Sequence, residues 1–417
     1  MSKFLIHGGK TLNGKVAIKS AKNAVLPILS ASVLCKDRVV LHSIPKLADI
    51  DNMCKILESI GCLVQWKGDT LIVDSSNLNS SILPVELTSQ LRASFFMLGS
   101  LLSTTKKAKI SYPGGCNIGN RPIDIHLQGL KSLGAEIEEN HGFIICDGSK
   151  MHSGTFYLRF PSVGATENLM MSAVFLKGET IIQNCAKEPE IVDLQNFLNK
   201  MGAKISGAGS CEIKIKGVKK LHGIDYTPIG DRIVAGTYII ATLMCGGNVE
   251  LTNINPNYTK SLIDLFNSND CHITYKNDKI KVVATKRLKS IPFVETNPYP
   301  FFPTDMQPQL MALECVSNGS SVIMENMFET RFKHIPQLIK MGADISTKNN
   351  IAIITGKENL SGAEVEATDL RAGACLVLAG LKASGYTTIT NIHHIDRGYE
   401  SIEKDLSLLG ADIKRIE

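Results

Sequence analysis

The strongest candidate for chemistry in the sequence is a cysteine held in an unusual loop, Pro113-Gly114-Gly115-Cys116-Asn117-Ile118-Gly119-Asn120-Arg121-Pro122. Three glycines and two prolines in ten residues specify a backbone path that ordinary side chains do not favour. Such a path predicts an exposed thiol. Arg121, five residues on, would lower the thiol pKa and make Cys116 reactive. Three other charged loops stand at equivalent places: 186–190 (Ala-Lys-Glu-Pro-Glu), 328–334 (Phe-Glu-Thr-Arg-Phe-Lys-His) and 393–398 (His-His-Ile-Asp-Arg-Gly). Each alone reads as a solvated surface loop. As a set in register with Cys116 they predict one shared cleft lined by Arg121, Arg331, Arg371 and Arg397. In Pro303-Thr304-Asp305-Met306-Gln307 a carboxylate stands at a helix start. It is either a cap or first-turn acid or a general base aimed into the cleft, and the residues leave both open. His393 and His394 look like a metal pair, but no third ligand with suitable spacing follows, so no metal is expected.

The elements that position these residues recur along the chain. A helical pattern, a Gly-Ala or similar step and a short alternating strand appear six times, with steps at Gly61, Gly134, Gly202, Asp270, Gly342 and Gly410. The steps are 73, 68, 68, 72 and 68 residues apart, a period that marks internal repeats. Four and one residues before the step stand Leu57 and Ile60, Leu130 and Leu133, Leu198 and Met201, Leu338 and Met341, and Leu406 and Leu409. That spacing puts both on one helical face. The glycine then supplies the left-handed residue that ends the helix. The fourth unit is degenerate, with Asp270 for glycine and Asn269 for the apolar residue.

A second helix series, at 22–34, 92–102, 164–176, 231–244, 304–316 and 369–381, is apolar nearly all round and should be buried. Each member opens on polar groups: Lys22 and Asn23, Arg92, Thr166 and Glu167, Asp231 and Arg232, Asp305, Asp369 and Arg371. Helix N-termini favour anions, so such ends gathered at one cleft would make a strong anion site. The expected fold is α/β: two domains of three units each, 21–230 and 1–20 plus 231–417, with crossings near Ala21 and Gly230 and the site between them.

Composition agrees with a large folded core. Apolar residues make up 44% and charged residues 20% of 417 residues. The net charge of +5 comes from 45 basic and 40 acidic residues without a basic run, so no nucleic-acid partner is expected. No run of 18 apolar residues marks a membrane span, and the first ten residues do not read as a signal peptide. The eleven cysteines are scattered singly, without C-x-x-C pairs, which suits a reducing cytoplasm.

The chain resembles the UDP-N-acetylglucosamine 1-carboxyvinyltransferase family from Phe4 to Ile413. The likeness rests on Ser20-Ala21-Lys22-Asn23-Ala24, Leu91-Arg92-Ala93-Ser94, Pro113-Gly114-Gly115-Cys116 with Arg121-Pro122, and Ser162-Val163-Gly164-Ala165-Thr166. It continues in Glu188-Pro189-Glu190-Ile191-Val192-Asp193, Pro303-Thr304-Asp305-Met306-Gln307, Thr368-Asp369-Leu370-Arg371 and His394-Ile395-Asp396-Arg397-Gly398-Tyr399. The resemblance implies the two-domain inside-out α/β barrel of the enolpyruvyl transferases, built of six βαβαββ-like repeats, three per domain. It implies phosphoenolpyruvate and UDP-N-acetylglucosamine as substrates, no metal or redox cofactor, and an early step of peptidoglycan synthesis.

The same resemblance implies residue roles. Lys22, Arg121 and Arg397 would hold phosphoenolpyruvate, with Asn23, Arg92 and Arg371 nearby. Asn23, Arg92 and Asp305 would bind the sugar, and Asp305 would take the proton from its 3-hydroxyl. The uridine would rest on Arg121, Pro122, Ile123, Asp124 and Ile125, the diphosphate on Ser162, Val163 and Gly164, and the N-acetyl group on the backbone of Met327. Cys116 would deliver a proton to the enol carbon or assist product release, and would be the target of fosfomycin. Val234 and Phe160 depart from residues common in relatives, a glutamate and a lysine. Two other readings remain to be separated: a transferase for shikimate phosphate, and a paralogue that binds the nucleotide sugar without catalysis.

Overall fold

The structure, a computed structural model, describes residues 2–114, 123–267 and 271–417. The described residues divide into two compact units. One spans Ser20 to Ile229; the other joins the residues up to Lys19 with Gly230–Glu417. Each has its own apolar core. The Asn269 and Asp270 step lies outside the described residues.

One repeat shows how sequence dictates the unit. The edge strand Thr155–Tyr157 leads into the buried helix Val163–Ala173, and the chain returns in Glu179–Gln183, parallel to the first strand. The outer helix Pro189–Lys200 follows, then a hairpin of Lys204–Ser206 and Glu212–Lys216 that completes the sheet. The crossover helix is apolar all round because it is enclosed, whereas the outer helix buries Ile191, Leu194, Phe197 and Leu198 and exposes its polar side. In the five described steps the glycine has positive φ, from +89° to +105°, and the apolar residues four and one places before it are all buried. The left-handed glycine ends the helix and turns the chain into the strand.

Five of the described sheets have four strands and one has three, Lys107–Ser111, Phe143–Asp147 and Glu136–Asn140. There a single parallel bridge, Ile82 to Lys109, stands where the others have an edge strand. Three strands come from sequence-distant places. Asp225–Tyr226 lies parallel on Arg38–Leu41, and Leu12–Ala17 lies parallel on Gly247–Thr252. Lys3–His7 inserts between Tyr386–Thr390 and Asp412–Ile416. Each unit is thus closed by strands from beyond its own run of repeats, so that fewer edges are left open.

The buried helices pack at backbone distance where glycine allows it. A Cβ on Gly99 would stand 2.4 Å from the carbonyl oxygen of Asn168, so only glycine fits. The Gly99 N–H instead donates to Asn168 Oδ1 at 2.7 Å, joining helix Phe96–Thr105 to Val163–Ala173.

Glu314, at the end of the helix Gln307–Glu314, is a buried carboxyl; its Oε2 accepts the Ile291 N–H at 3.2 Å. Burial pushes it up from 4.5 to about 8. The folded chain therefore binds a proton that the unfolded chain releases, and stability falls as pH rises from 4.5 through about 8. Glu314→Gln should remove that slope. At pH 8.5 the variant should be more stable than the parent by on the order of a few kcal/mol and so melt at a higher temperature; near pH 5 the two melting temperatures should match. Equal melting temperatures at both pH values would show that Glu314 is not buried in this way.

Candidate active site

In the unit containing Gly230–Glu417 the N-terminal ends of three buried helices converge on Asp305. The residue lies in the 3₁₀ turn Thr304–Met306 that opens the helix Gln307–Glu314, and its side chain caps no backbone N–H. It is therefore no cap, though it does stand as the acid of the first turn. Its Oδ1 instead accepts from Arg371 Nε at 3.1 Å and lies 3.5 Å from Arg331 Nη2. Arg232, the first residue of the helix Arg232–Cys245, adds its charge from the third helix. Arg371, Arg331 and Arg232 together hold the Asp305 carboxyl well below the usual carboxylate range, against the opposing effect of its burial. With 35% of its side chain open to solvent, Asp305 is a fixed anion with an accessible rim.

The arginines are fixed in turn. Arg331 is almost fully buried; its Nε and Nη2 donate to Thr304 O at 3.3 and 3.0 Å, and Nη1 lies 3.7 Å from Asp369 Oδ1. The same Asp369 oxygen caps Leu370–Lys382, accepting from Arg371 N at 2.9 Å and Ala372 N at 3.1 Å. Asp231 caps Arg232–Cys245 likewise, through Ile233 N and Val234 N. Positive side chains at these helix starts oppose the helix dipole, so the carboxylates and caps offset them, leaving a place suited to anions.

In the Ser20–Ile229 unit, Lys22 and Asn23 open the helix Lys22–Ala31, whose cap residue Ala21 offers no side-chain acceptor. Lys22 Nζ lies 3.0 Å from Asp49 Oδ2, a nearly buried pair. Arg92, half-buried, opens the 3₁₀ turn Arg92–Phe95. Ile123 and Ile125 are buried at the start of Asp124–Ser132, and Asp124 pairs with Arg159. Ser162 caps Val163–Ala173 through Ala165 N at 3.3 Å, and Val163 and Gly164 form its first turn, where N–H groups lack intrahelical acceptors. A Cβ on Gly164 would come within 3.0 Å of the His126 ring, so the 123–125 and 162–164 segments are neighbours.

The structure thus brings Asp305 together with Arg371 and the 123–125 and 162–164 segments with each other. Arg397 lies half-buried in the 3₁₀ turn Ile392–Arg397. Met327 is half-buried, but its N–H already donates to Glu325 Oε1 at 2.9 Å. A backbone contact from Met327 to a ligand would therefore have to use the carbonyl. Cys116, Arg121 and Pro122 lie outside the described residues. Of the ten other cysteines, eight are buried and only Cys211 is exposed. Burial pushes the Cys54, Cys62, Cys146 and Cys185 thiols up to about 12. Sequence reasoning gave no role to Asp49 and took Asp369 only as a polar helix opening. An acid in the first turn of the next helix and the acid two before Arg371 were the available signals. Among the described residues, no three His, Cys, Asp or Glu side chains are grouped to hold a metal, and no helix is long and apolar enough to cross a membrane.

The family profile of EPSP synthase (3-phosphoshikimate 1-carboxyvinyltransferase) matches residues 6–406, so by class the chain is a member of that transferase family. It is 48% identical over 416 residues to a UDP-N-acetylglucosamine 1-carboxyvinyltransferase 2 of Caldanaerobacter subterraneus, with all of both chains covered. It is 46% identical to a UDP-N-acetylglucosamine 1-carboxyvinyltransferase of Thermotoga maritima, covering 100% of this chain and 99% of that one. Among solved structures, the enolpyruvyl transferase NikO from Streptomyces tendae superposes with a TM-score of 0.89 at 25% identity, over 99% of this chain and 98% of that one. An EPSP synthase from Acinetobacter baumannii shares the fold, with a TM-score of 0.77 at 18% identity over the whole of both chains. The chain belongs to the UDP-N-acetylglucosamine 1-carboxyvinyltransferases.

Proposed function

We propose that the chain transfers the enolpyruvyl group of phosphoenolpyruvate to the 3-hydroxyl of UDP-N-acetylglucosamine, releasing phosphate. The observation that carries this reading is the full-length likeness to relatives named for that transfer. The hydroxyl adds at C2 of phosphoenolpyruvate while C3 takes a proton, giving a tetrahedral ketal. Loss of phosphate and of a C3 proton then restores the double bond. Charge stays on a carboxylate and a phosphate throughout, and fixed cations are the fitting stabiliser. Arginine forks match both groups. No redox change occurs, so no redox cofactor is called for.

In this reading Asp305 accepts the hydroxyl proton and Cys116 supplies the proton to C3 or assists product release. Lys22, Arg121 and Arg397 hold phosphoenolpyruvate, with Asn23, Arg92 and Arg371 beside it. Residues 121–125 and Ser162, Val163 and Gly164 hold the nucleotide. The product is a peptidoglycan precursor made in the cytoplasm.

The test is release of inorganic phosphate from phosphoenolpyruvate with each acceptor. Release with UDP-N-acetylglucosamine and none with shikimate 3-phosphate is expected. Release only with shikimate 3-phosphate would overturn the reading, and tight nucleotide-sugar binding without release would make the chain a non-catalytic paralogue. A second arm treats the enzyme with fosfomycin before assay. Loss of release with one adduct, on the peptide containing Cys116, is expected because the other thiols are mostly buried. Adducts spread over several cysteines would remove Cys116 from the site.

A further inference from the structure

A polar seam runs through the otherwise apolar junction of the three buried helices in the Gly230–Glu417 unit. Thr237 comes from Arg232–Cys245, Gln309 from Gln307–Glu314 and Arg371 from Leu370–Lys382. Tyr399 joins them from the segment after the turn Ile392–Arg397, where its N–H donates to Ile395 O at 3.0 Å. All four residues are buried.

The bonding directions are fixed by elimination. The Thr237 hydroxyl donates to Ile233 O at 2.9 Å, so toward Tyr399 its oxygen accepts. The Tyr399 hydroxyl therefore donates to Thr237 Oγ1, 2.8 Å away. Gln309 Nε2 donates to that same Oγ1 at 3.2 Å and to the Tyr399 oxygen at 3.5 Å. The phenol is pinned at its far end, and the ring has one position. The Arg371 guanidinium stands over that ring, 5.9 Å from its centroid, within cation–π range. The same guanidinium donates through Nε to Asp305 at 3.1 Å.

Polar groups in a buried junction lower stability unless every partner is present, so the seam needs a reason beyond packing. We propose that Tyr399, anchored by Thr237 and Gln309, is a positioning residue that fixes Arg371 and through it the orientation of the Asp305 carboxylate. The proposal rests on the transferase reading for its kinetic consequence, though not for its geometry. Arg371 has no other aromatic support among the described residues. Its only carboxylate contact there is Asp305. A tilt of the ring therefore moves the carboxylate that is to meet the sugar hydroxyl, and misplacement of about 1 Å is worth up to about 100-fold in rate.

The experiment compares Tyr399→Phe, Thr237→Val and the double variant with the parent enzyme in two readouts. The first is phosphate release. Tyr399→Phe keeps the ring and loses only the hydroxyl anchor; kcat should fall about tenfold, with KM for UDP-N-acetylglucosamine within about twofold. Thr237→Val cuts the same bond from the other side, so the double variant should lose no more than the worse single. The second readout is independent of activity: solvent exchange of the Arg371 Nε–H in ¹⁵N spectra, assigned with Arg371→Lys. It should be slow in the parent and at least about tenfold faster in Tyr399→Phe. Unchanged exchange overturns the positioning role whatever the kinetics show. Losses in kcat that add in the double variant, or that merely follow the fraction unfolded, overturn it too. A parent enzyme that releases no phosphate sinks the functional reading alone, because the exchange measurement still decides the geometry.

Discussion

Asp305→Asn should lower kcat for phosphate release by about 10²–10⁴-fold, the usual worth of a positioned general base, while the nucleotide sugar still binds. The substitution keeps size and removes the basic oxygen. The arginine contacts make a second, sharper expectation. Arg371 at 3.1 Å and Arg331 at 3.5 Å hold the carboxylate ionised far below neutral pH. The pH profile of kcat/KM in the parent should thus show no acid limb from Asp305 at about pH 5 or above. A base so stabilised is weak while the arginines face it alone. An anionic substrate drawn to the same arginines would take up part of their charge and raise the carboxylate's basicity as the site fills. An Asp305→Asn enzyme with kcat within threefold of the parent would remove Asp305 from the chemistry and leave it a structural counter-ion.

Local chemistry made most elements legible in the sequence. The pairs Leu57 and Ile60 or Leu406 and Leu409, followed by glycine, encode helix, stop and turn within a dozen residues, and the structure keeps all of these side chains buried. Asp231 and Asp369 were readable as polar openings of apolar helices for the same reason. Long-range pairings were not. Lys3–His7 and Leu12–Ala17 alternate as strands should, but alternation does not say that they enter two different sheets. The two-residue strand Asp225–Tyr226 has no period to detect. The closeness of Asn168 to Gly99 depends on helix packing, which spacing along one helix cannot reveal.

The candidate site divides along the same line. Asp305, Arg371 and Lys22 stood out because each opens a helix, a property of the local sequence, whereas the 162–164 turn came from the family resemblance alone. Their partners were missed because partnership is tertiary. Asp49 comes from the helix Ala48–Ser59, and Tyr399 reaches Thr237 from the far end of the unit. The Met327 N–H is engaged inside the protein, by Glu325, so of its two backbone groups the carbonyl is the one left for a ligand.

Arg331→Met should destabilise the Gly230–Glu417 unit by about 3–5 kcal/mol, the cost of breaking a buried ion pair from one side. Methionine fills similar volume, so the loss is electrostatic rather than a cavity. Asp369 is 3% exposed and would be left with two backbone N–H donors and without the guanidinium that faces it at 3.7 Å. The Thr304 carbonyl would lose both of its Arg331 donors. Asn at 369 still caps a helix but carries no charge, so Arg331→Met with Asp369→Asn should recover a large part of the loss. Arg331→Lys should recover little, since one ammonium cannot reach Thr304 O, Asp305 and Asp369 together as the planar fork does. Urea unfolding, read separately for the two units because each has its own core, measures all three. A loss below about 1 kcal/mol, in the range of an ordinary surface change, or a double variant as unstable as the single, would mean that the Arg331–Asp369 contact is not a buried ion pair.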